Sequence, residues 1–157
     1  MKKFIKLLVS VIVCQLAGVI GSIFTASSVK TWYAAINKPS FTPPNWLFGP
    51  VWIFLFVLMG ISLFLVWSHP SAVPKDRKRA LIIFGAQLAL NTFWSYAFFG
   101  LESPLFGFIV IVILWITILM TIIRFLKISE LAGWLLIPYI LWVSFASVLN
   151  LAILLLN

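Results

Sequence analysis

Five long apolar segments, separated by short polar connections, are the feature of this sequence that most restricts its fold. They lie near residues 5–27, 47–68, 80–99, 104–126 and 131–155. About 20 residues, each rising roughly 1.5 Å, cross a hydrocarbon layer about 30 Å thick, so each segment is long enough to span a membrane. Only 9% of the residues are charged, far below the roughly one quarter found in soluble domains. The sequence therefore predicts an all-α integral membrane protein, a single bundle of five transmembrane helices over residues 1–157.

The basic residues predict the orientation of this bundle, because cytoplasmic loops are enriched in Lys and Arg. One side carries nine of them and the other carries two: Lys2, Lys3, Lys6, Lys75, Arg77, Lys78, Arg79, Arg124 and Lys127 against Lys30 and Lys38. We predict a bacterial plasma membrane protein with a cytoplasmic N-terminus and an external C-terminus. The net charge of +8 is scattered over several loops, which argues against a nucleic acid partner. A cleaved signal peptide is the competing interpretation of the first segment, which is longer than the usual apolar run of roughly 7 to 15 residues.

Residue types that perform common chemistry are nearly absent from the apolar segments. All three acidic residues, Asp76, Glu102 and Glu130, lie outside them, so no span carries the carboxylate that a proton-coupled carrier usually needs. The single cysteine, Cys14, cannot form a disulfide within the chain, and the single histidine, His69, lies in a loop. We therefore predict no metal site and no required cofactor, and ordinary hydrolytic or metal-dependent catalysis is disfavoured.

Polar and aromatic side chains form two helical stripes within the spans. The third span carries Gln87, Asn91, Trp94 and Phe98, and the fifth carries Tyr139, Trp142, Ala146 and Asn150. Spacings of three and four residues place each set on one helical face, and both faces are predicted to point into the bundle. Two interpretations are open. The stripes either join helices by hydrogen bonds worth about 1 kcal/mol each, or line a pocket in which rings stack on a flat, apolar ligand and amides orient it.

The spans are predicted to differ in their roles. Pro50 and Pro138 are expected to kink the second and fifth spans and to leave space between them. Small residues recur along the first span, which predicts a close-packing face. The fourth span is aliphatic almost throughout and is expected to be the most lipid-exposed helix. Ser103 and Pro104 predict the N-cap and first residue of that span.

The first loop, residues 28–46, carries the most distinctive motif. It contains Trp32-Tyr33, Lys38-Pro39, Phe41 and Pro43-Pro44, and it leads into Pro50 and Trp52. This pattern resembles the signature of the tryptophan-rich sensory protein and translocator protein (TspO/MBR) family. Gln87 to Asn91 with Trp94, Ser95, Phe98 and Phe99 is similar to the third helix of that family, and Pro138-Tyr139 with Trp142, Phe145-Ala146 and Leu149-Asn150 is similar to its fifth. The resemblance extends over the whole chain.

The resemblance implies a five-helix bundle, often a homodimer, that binds porphyrins such as protoporphyrin IX in an intramembrane pocket. By motif position, the ligand-binding residues include Tyr33, Trp52, Asn91, Trp94, Trp142 and Ala146, and the stripes add Gln87, Phe98 and Tyr139. The loop 28–46 is the expected lid, through Trp32, Lys38, Pro39, Phe41, Pro43 and Pro44. The implied function is that of a membrane receptor or sensory protein for tetrapyrroles, with a role in porphyrin transport or stress regulation.

Two other functions are open on this resemblance. Family members have been connected with oxidative breakdown of the porphyrin, for which Trp52 and Trp142 are the matching tryptophans and the only catalytic candidates. A small passive transporter is the second alternative. Sterol binding is not expected, because no basic residue follows Tyr139, as the proposed sterol motif requires. Lys30 and Lys38 border the first loop and are candidates to pair with porphyrin propionates.

Overall fold

The computed structural model describes residues 2–157, and five of its helical segments are long and apolar enough to cross a membrane. The long helices are α1 (Lys3–Ser28), α3 (Asn45–Trp67), α4 (Pro74–Ser95), α5 (Pro104–Leu126) and α7 (Ile137–Leu156). Two short helices, α2 (Trp32–Ala35) and α6 (Glu130–Trp134), precede α3 and α7, and α4 continues into a π-helical turn, Tyr96–Gly100. The predicted all-α membrane fold is confirmed. The third span begins earlier than expected, at Pro74, because its basic first turn is helical although it is not apolar.

The prolines act differently in the two spans that contain them. Pro50 lies inside α3, as predicted, whereas Pro138 lies in the first turn of α7. The chain breaks its helix at Leu135–Leu136, between α6 and α7. The expected kink inside a continuous fifth helix is therefore wrong, because a proline in the first turn costs no intrahelical hydrogen bond. Ser103 caps α5 as predicted: its Oγ accepts a hydrogen bond from the backbone N–H of Phe106 at 3.2 Å.

Helix α5 packs against α4, α6 and α7. Eight of its residues are buried, against four in the longer α1. The prediction that the fourth span is the most lipid-exposed is therefore wrong, and α1 is the more exposed helix. An aliphatic helix in a membrane is apolar on every side, so hydropathy does not distinguish the face toward lipid from the face toward protein.

Helix α1 packs along α3 and α4, and Gly60 is where it approaches α3 closely. A Cβ atom at Gly60 would lie 2.6 Å from the Cα atom of Val11 and 3.0 Å from its backbone nitrogen. Both obstacles are backbone atoms, which cannot rotate away as a side chain can. The close contact between α1 and α3 therefore depends on glycine at this position.

Candidate ligand-binding site

A cavity of about 320 Å³ lies in the half of the bundle that is covered by the first loop. Its walls come from the second half of α1, the first half of α3, the end of α4 with its π-helical turn, and α7. This volume falls at the lower end of the range of roughly 300–1,000 Å³ that is usual for small-molecule sites. The cavity is therefore large enough to be a binding site rather than a packing defect.

Aromatic rings form most of the apolar wall of the cavity. The seven that line it are Tyr33, Phe48, Trp52, Phe56, Trp94, Phe98 and Phe99. Several of them fix one another: the rings of Trp52 and Phe56 stack with centroids 5.6 Å apart, and those of Trp94 and Phe98 stack at 5.7 Å. Stacked and edge-to-face pairs hold rings in defined orientations, so the wall presents preorganised aromatic faces.

The π-helical turn brings two consecutive phenylalanines to the same place. The backbone N–H of Leu101 donates to the carbonyl of Tyr96 at 2.8 Å, which closes the wide turn. Phe98 and Phe99 both contact the ring of Tyr33, with centroid distances of 6.3 and 5.5 Å. In a regular α-helix adjacent side chains point about 100° apart, and a π turn is a common way to reposition them at a functional site.

A buried polar cluster joins α4 to α7 beside the cavity. Tyr139 is completely buried, and its hydroxyl donates to Gln87 Oε1 at 2.7 Å while accepting from Asn91 Nδ2 at 2.8 Å. Asn91 also lines the cavity, whereas Gln87 and Tyr139 lie behind the lining. The stripes of the third and fifth spans therefore meet. Hydrogen bonds between their polar side chains join α4 to α7.

A second pair of polar contacts positions Trp94. Its indole Nε1–H donates to Asn150 Oδ1 at 3.1 Å, and Asn150 Nδ2 donates to the carbonyl of Pro104 at 2.8 Å. Asn150 thus connects α4, α5 and α7 while it lines the cavity. Because the indole nitrogen is fixed, the flat face of Trp94 has one orientation relative to the cavity.

Removal of the Tyr139 hydroxyl should destabilise the bundle. In Tyr139→Phe, the amides of Gln87 and Asn91 each lose the one side-chain partner that they have among residues 2–157, and we expect the free energy of unfolding to fall by about 2 kcal/mol. Unfolding by SDS in mixed micelles, followed by circular dichroism, measures this change. Tyr96→Phe is the matched control, because Tyr96 lies at the surface and its hydroxyl bonds no residue within 2–157. Equal stability of the two variants would contradict a stabilising role for the cluster.

The first helix contributes more of the cavity than sequence reasoning predicted. Seven residues of α1 line it, together with Val29, which follows the helix: Gln15, Ala17, Gly18, Val19, Gly21, Ser22 and Thr25. Most are small, and their size leaves the space that the rings of α3 and α4 surround. Gln15 also connects the two walls, because its Nε2 donates to the carbonyl of Ile53 at 3.0 Å. The recurring small residues are the available signal in the sequence, although their spacing by itself predicts only a packing face.

The first loop places Tyr33 in the cavity wall and holds it there. Tyr33 is buried, and that burial raises the pKa of its phenol, so the side chain stays neutral. Lys38 Nζ donates to the carbonyls of Tyr33 at 2.6 Å and Ile36 at 3.1 Å, and it lies 4.9 Å from the centroid of the Tyr33 ring. Two of the three ammonium protons of Lys38 are thus used within the loop.

The loop is also tied to the last turn of α7. The backbone N–H of Asn37 donates to Asn157 Oδ1 at 3.0 Å, and Asn157 Nδ2 donates to the carbonyl of Asn37 at 2.9 Å. Asn37 Nδ2 in turn donates to the carbonyl of Leu156 at 3.3 Å. These three bonds, called here the Asn37–Asn157 contact, fix the middle of the loop over the bundle.

The other predicted lid residues surround the cavity without lining it. Trp32 packs edge-on against Phe98, and Phe41 packs against Phe145. Pro39 begins a turn in which its carbonyl accepts from the backbone N–H and the hydroxyl of Thr42. Pro43 is half-buried, and Pro44 immediately precedes α3 as its N-cap residue.

Of the predicted ligand-binding residues, Trp142 is the tryptophan that lies away from the cavity. Its ring packs on Phe48 with centroids 6.0 Å apart and on Phe145 at 5.4 Å, so Phe48 separates it from the cavity space. The predicted residues that do line the cavity are Tyr33, Trp52, Asn91, Trp94, Phe98 and Ala146. Trp142 supports the wall from behind, as Gln87 and Tyr139 do from within the bundle.

Comparison with known proteins assigns the chain to a family. Residues 10–156 match the TspO/MBR family over nearly the whole chain. The chain belongs to the TspO/MBR family. It is 46% identical over 153 residues to the tryptophan-rich protein TspO of Archaeoglobus fulgidus, an alignment that covers 98% of this chain and 97% of that protein.

More distant relatives belong to bacteria and to animals. The tryptophan-rich sensory protein of Cereibacter sphaeroides is 34% identical over 119 residues, which cover 76% of this chain and 72% of the relative. The human translocator protein is 34% identical over 131 residues, which cover 83% and 78%. The family membership predicted from the first-loop motif is confirmed, and with five membrane-spanning helices this TspO/MBR protein is an integral membrane protein.

Proposed function

We propose that this TspO/MBR protein is a membrane receptor that binds a tetrapyrrole of the protoporphyrin IX type in the cavity beneath the first loop. The observation that carries the proposal is the composition of the lining: seven aromatic rings, several amides and hydroxyls, and no charged side chain among the described residues that form it. A porphyrin is a broad aromatic plate with polar nitrogens at its centre and two carboxylates at one edge. Stacking rings and a few oriented amides match that plate.

The uncharged lining sets the orientation of the ligand. An unpaired carboxylate in an apolar cavity is strongly unfavourable, so the macrocycle enters the cavity and its propionates remain at the end that faces the first loop. Lys30 is exposed near that end, and it is the better candidate partner for a propionate. Lys38 is less suited than its position in the sequence suggests, because its ammonium group already bonds two loop carbonyls.

Asn91 is the polar group best placed for the centre of the plate. Its Nδ2 is used by Tyr139, while its Oδ1 bonds no residue within 2–157 and is not among the fully buried unpaired atoms. We expect this oxygen to accept a hydrogen bond from a pyrrole N–H. The described residues that form the lining include no histidine or cysteine, so a metal-free porphyrin fits it without an axial protein ligand.

The proposal includes an orientation in the membrane and an oligomeric state. The nine-to-two distribution of basic residues supports a cytoplasmic N-terminus, with the ligand cavity in the outer half of the membrane. We also propose a homodimer in a bacterial plasma membrane, on the basis of the family resemblance. Chemical cross-linking in native membranes, compared with the detergent-solubilised protein, tests the dimer.

Titration with protoporphyrin IX, followed by quenching of tryptophan fluorescence, tests the binding site. Trp52→Leu and Trp142→Leu make a matched pair, because both rings are half-buried and only Trp52 lines the cavity. Loss of the stacking ring in Trp52→Leu should weaken binding roughly tenfold, as expected for about 1.4 kcal/mol. Trp142→Leu, which removes support behind Phe48, should change the Kd by less than about threefold.

The two variants also separate the proposed receptor from a porphyrin-degrading enzyme. Equal affinity of both variants and the wild type would overturn the cavity assignment. Loss of porphyrin absorbance under illumination in the wild type, abolished in Trp52→Leu, would favour photo-oxidative breakdown instead of simple binding. Uptake of protoporphyrin into protein-containing liposomes, compared with empty liposomes, would favour the passive transporter.

A further inference from the structure

A second groove lies at the opposite end of the bundle from the ligand cavity. It is formed by the start of α1, the end of α3 and the start of α4, and its volume is about 440 Å³. Its wall combines three cations with apolar residues: Lys6, Arg77 and Lys78 with Trp67, Leu81 and Ile82. A groove that is half basic and half apolar matches an amphipathic anion better than a free ion or a hydrocarbon.

Arg77 is held in place by the preceding loop. Its Nη2 donates to the carbonyls of His69 at 2.6 Å and Ala72 at 3.3 Å. Its Nη1 bonds no residue within 2–157 and is not among the buried unpaired atoms, unlike its Nε. The guanidinium is thus fixed in advance and keeps one accessible nitrogen for an external acceptor, which lowers the entropic cost of binding an anion.

The cations and the apolar residues lie at successive depths along α4. Leu81 and Ile82 follow Arg77 and Lys78 by four residues, so each apolar side chain is one turn deeper in the membrane than a cation. On the neighbouring helices, Lys6 Nζ lies 5.4 Å from the centroid of the Trp67 ring, a pair suited to the boundary between headgroups and hydrocarbon. The groove therefore has a charged part at the level of the lipid headgroups and an apolar part deeper in the membrane.

The charge balance on this side favours an anionic occupant. Nine basic residues lie on it, against the carboxylates of Asp76 and Glu130, and Asp76 is exposed to solvent. We propose that the groove binds an anionic phospholipid, with its phosphate against Lys6, Arg77 and Lys78 and one acyl chain against Leu81 and Ile82. The apolar part of the groove distinguishes this ligand from free phosphate, because phosphate has no apolar group to place against Leu81 and Ile82.

Native mass spectrometry of the detergent-solubilised protein, titrated with phosphatidylglycerol or with phosphatidylcholine of the same acyl chains, tests the proposal. The wild type should bind the anionic lipid more tightly. Lys6→Gln combined with Lys78→Gln should weaken phosphatidylglycerol binding roughly tenfold. This double variant keeps the anchoring bonds of Arg77, so the loop between α3 and α4 should remain intact. Lys75→Gln combined with Lys127→Gln removes the same charge from the same side outside the groove and should have little effect.

Each outcome decides between the occupants. Equal weakening in the two double variants, or equal affinity for the two lipids in the wild type, would overturn a specific site and indicate diffuse surface charge. Competition by millimolar inorganic phosphate, with no added effect of the acyl chain, would assign the groove to a free anion and overturn the lipid. Protoporphyrin binding should be unchanged in both variants, because the ligand cavity lies at the other end of the bundle.

Discussion

A Gly49→Phe protein is expected to bind protoporphyrin IX at least about 30-fold more weakly than the wild type. Gly49 is exposed but lines the cavity, and a Cβ atom at this position would meet no atom within 4 Å, so an added ring has room to turn toward the ligand space. A ligand that must share its site with an added benzyl group loses about 2 kcal/mol or more of binding free energy. The same fluorescence titration measures the effect.

Two control variants separate filling of the cavity from other effects of the substitution. Gly49 precedes Pro50, so any side chain there is mildly unfavourable in a helix, and Gly49→Ala carries that cost without filling the cavity. Gly85→Phe adds the same ring at an exposed glycine of α4 that also has open space around it. Both controls should bind protoporphyrin like the wild type, and weak binding by either would contradict the assigned location.

A Gly60→Leu protein is expected to lose at least about 3 kcal/mol of stability. The side chain would enter the backbone of Val11, 2.6 Å from its Cα atom, so α1 must move away from α3. Thermal unfolding in detergent, monitored by cysteine-reactive dye at the buried Cys14, measures the loss.

Gly85→Leu is the control for this large effect. The added side chain meets open space, and leucine has a higher helix propensity than glycine by about 0.8 kcal/mol, so the variant should be as stable as the wild type or more stable. Wild-type stability of Gly60→Leu would mean that α1 and α3 are not closely packed at this point.

The sequence predicts the number, type and approximate bounds of the spans because length and hydropathy are local properties. The sequence does not predict features that depend on how the helices pack against one another. Pro138 is compatible with a kink or with a helix start, and only the break after α6 selects the second. The aliphatic α5 is predicted to be the most lipid-exposed helix, but the small-residue α1 is more exposed. The sequence does not reveal this, because an apolar surface in a membrane is equally suited to a neighbouring helix or to acyl chains.

In the candidate site too, the sequence predicts what is local to one helix and misses what depends on a neighbouring helix. Helical spacing brought Asn91, Trp94 and Phe98 to one face, and these residues line the cavity. Trp142 belongs to the same face of α7 as Ala146, but Phe48 of α3 lies between its ring and the cavity. The neighbouring helix decides which side chain reaches the cavity, and the spacing of residues within either stripe does not encode this.

The Asn37–Asn157 contact makes the position of the loop over the cavity depend on the residue that follows α7. The loop carries Tyr33, so a displacement of the final turn of α7 is transmitted through Asn37 to a ring of the cavity wall. Asn157 supplies both an acceptor and a donor to the backbone of Asn37, so a change at this one side chain acts on the loop directly. Ligand affinity is therefore expected to depend on Asn157, although this side chain does not line the cavity.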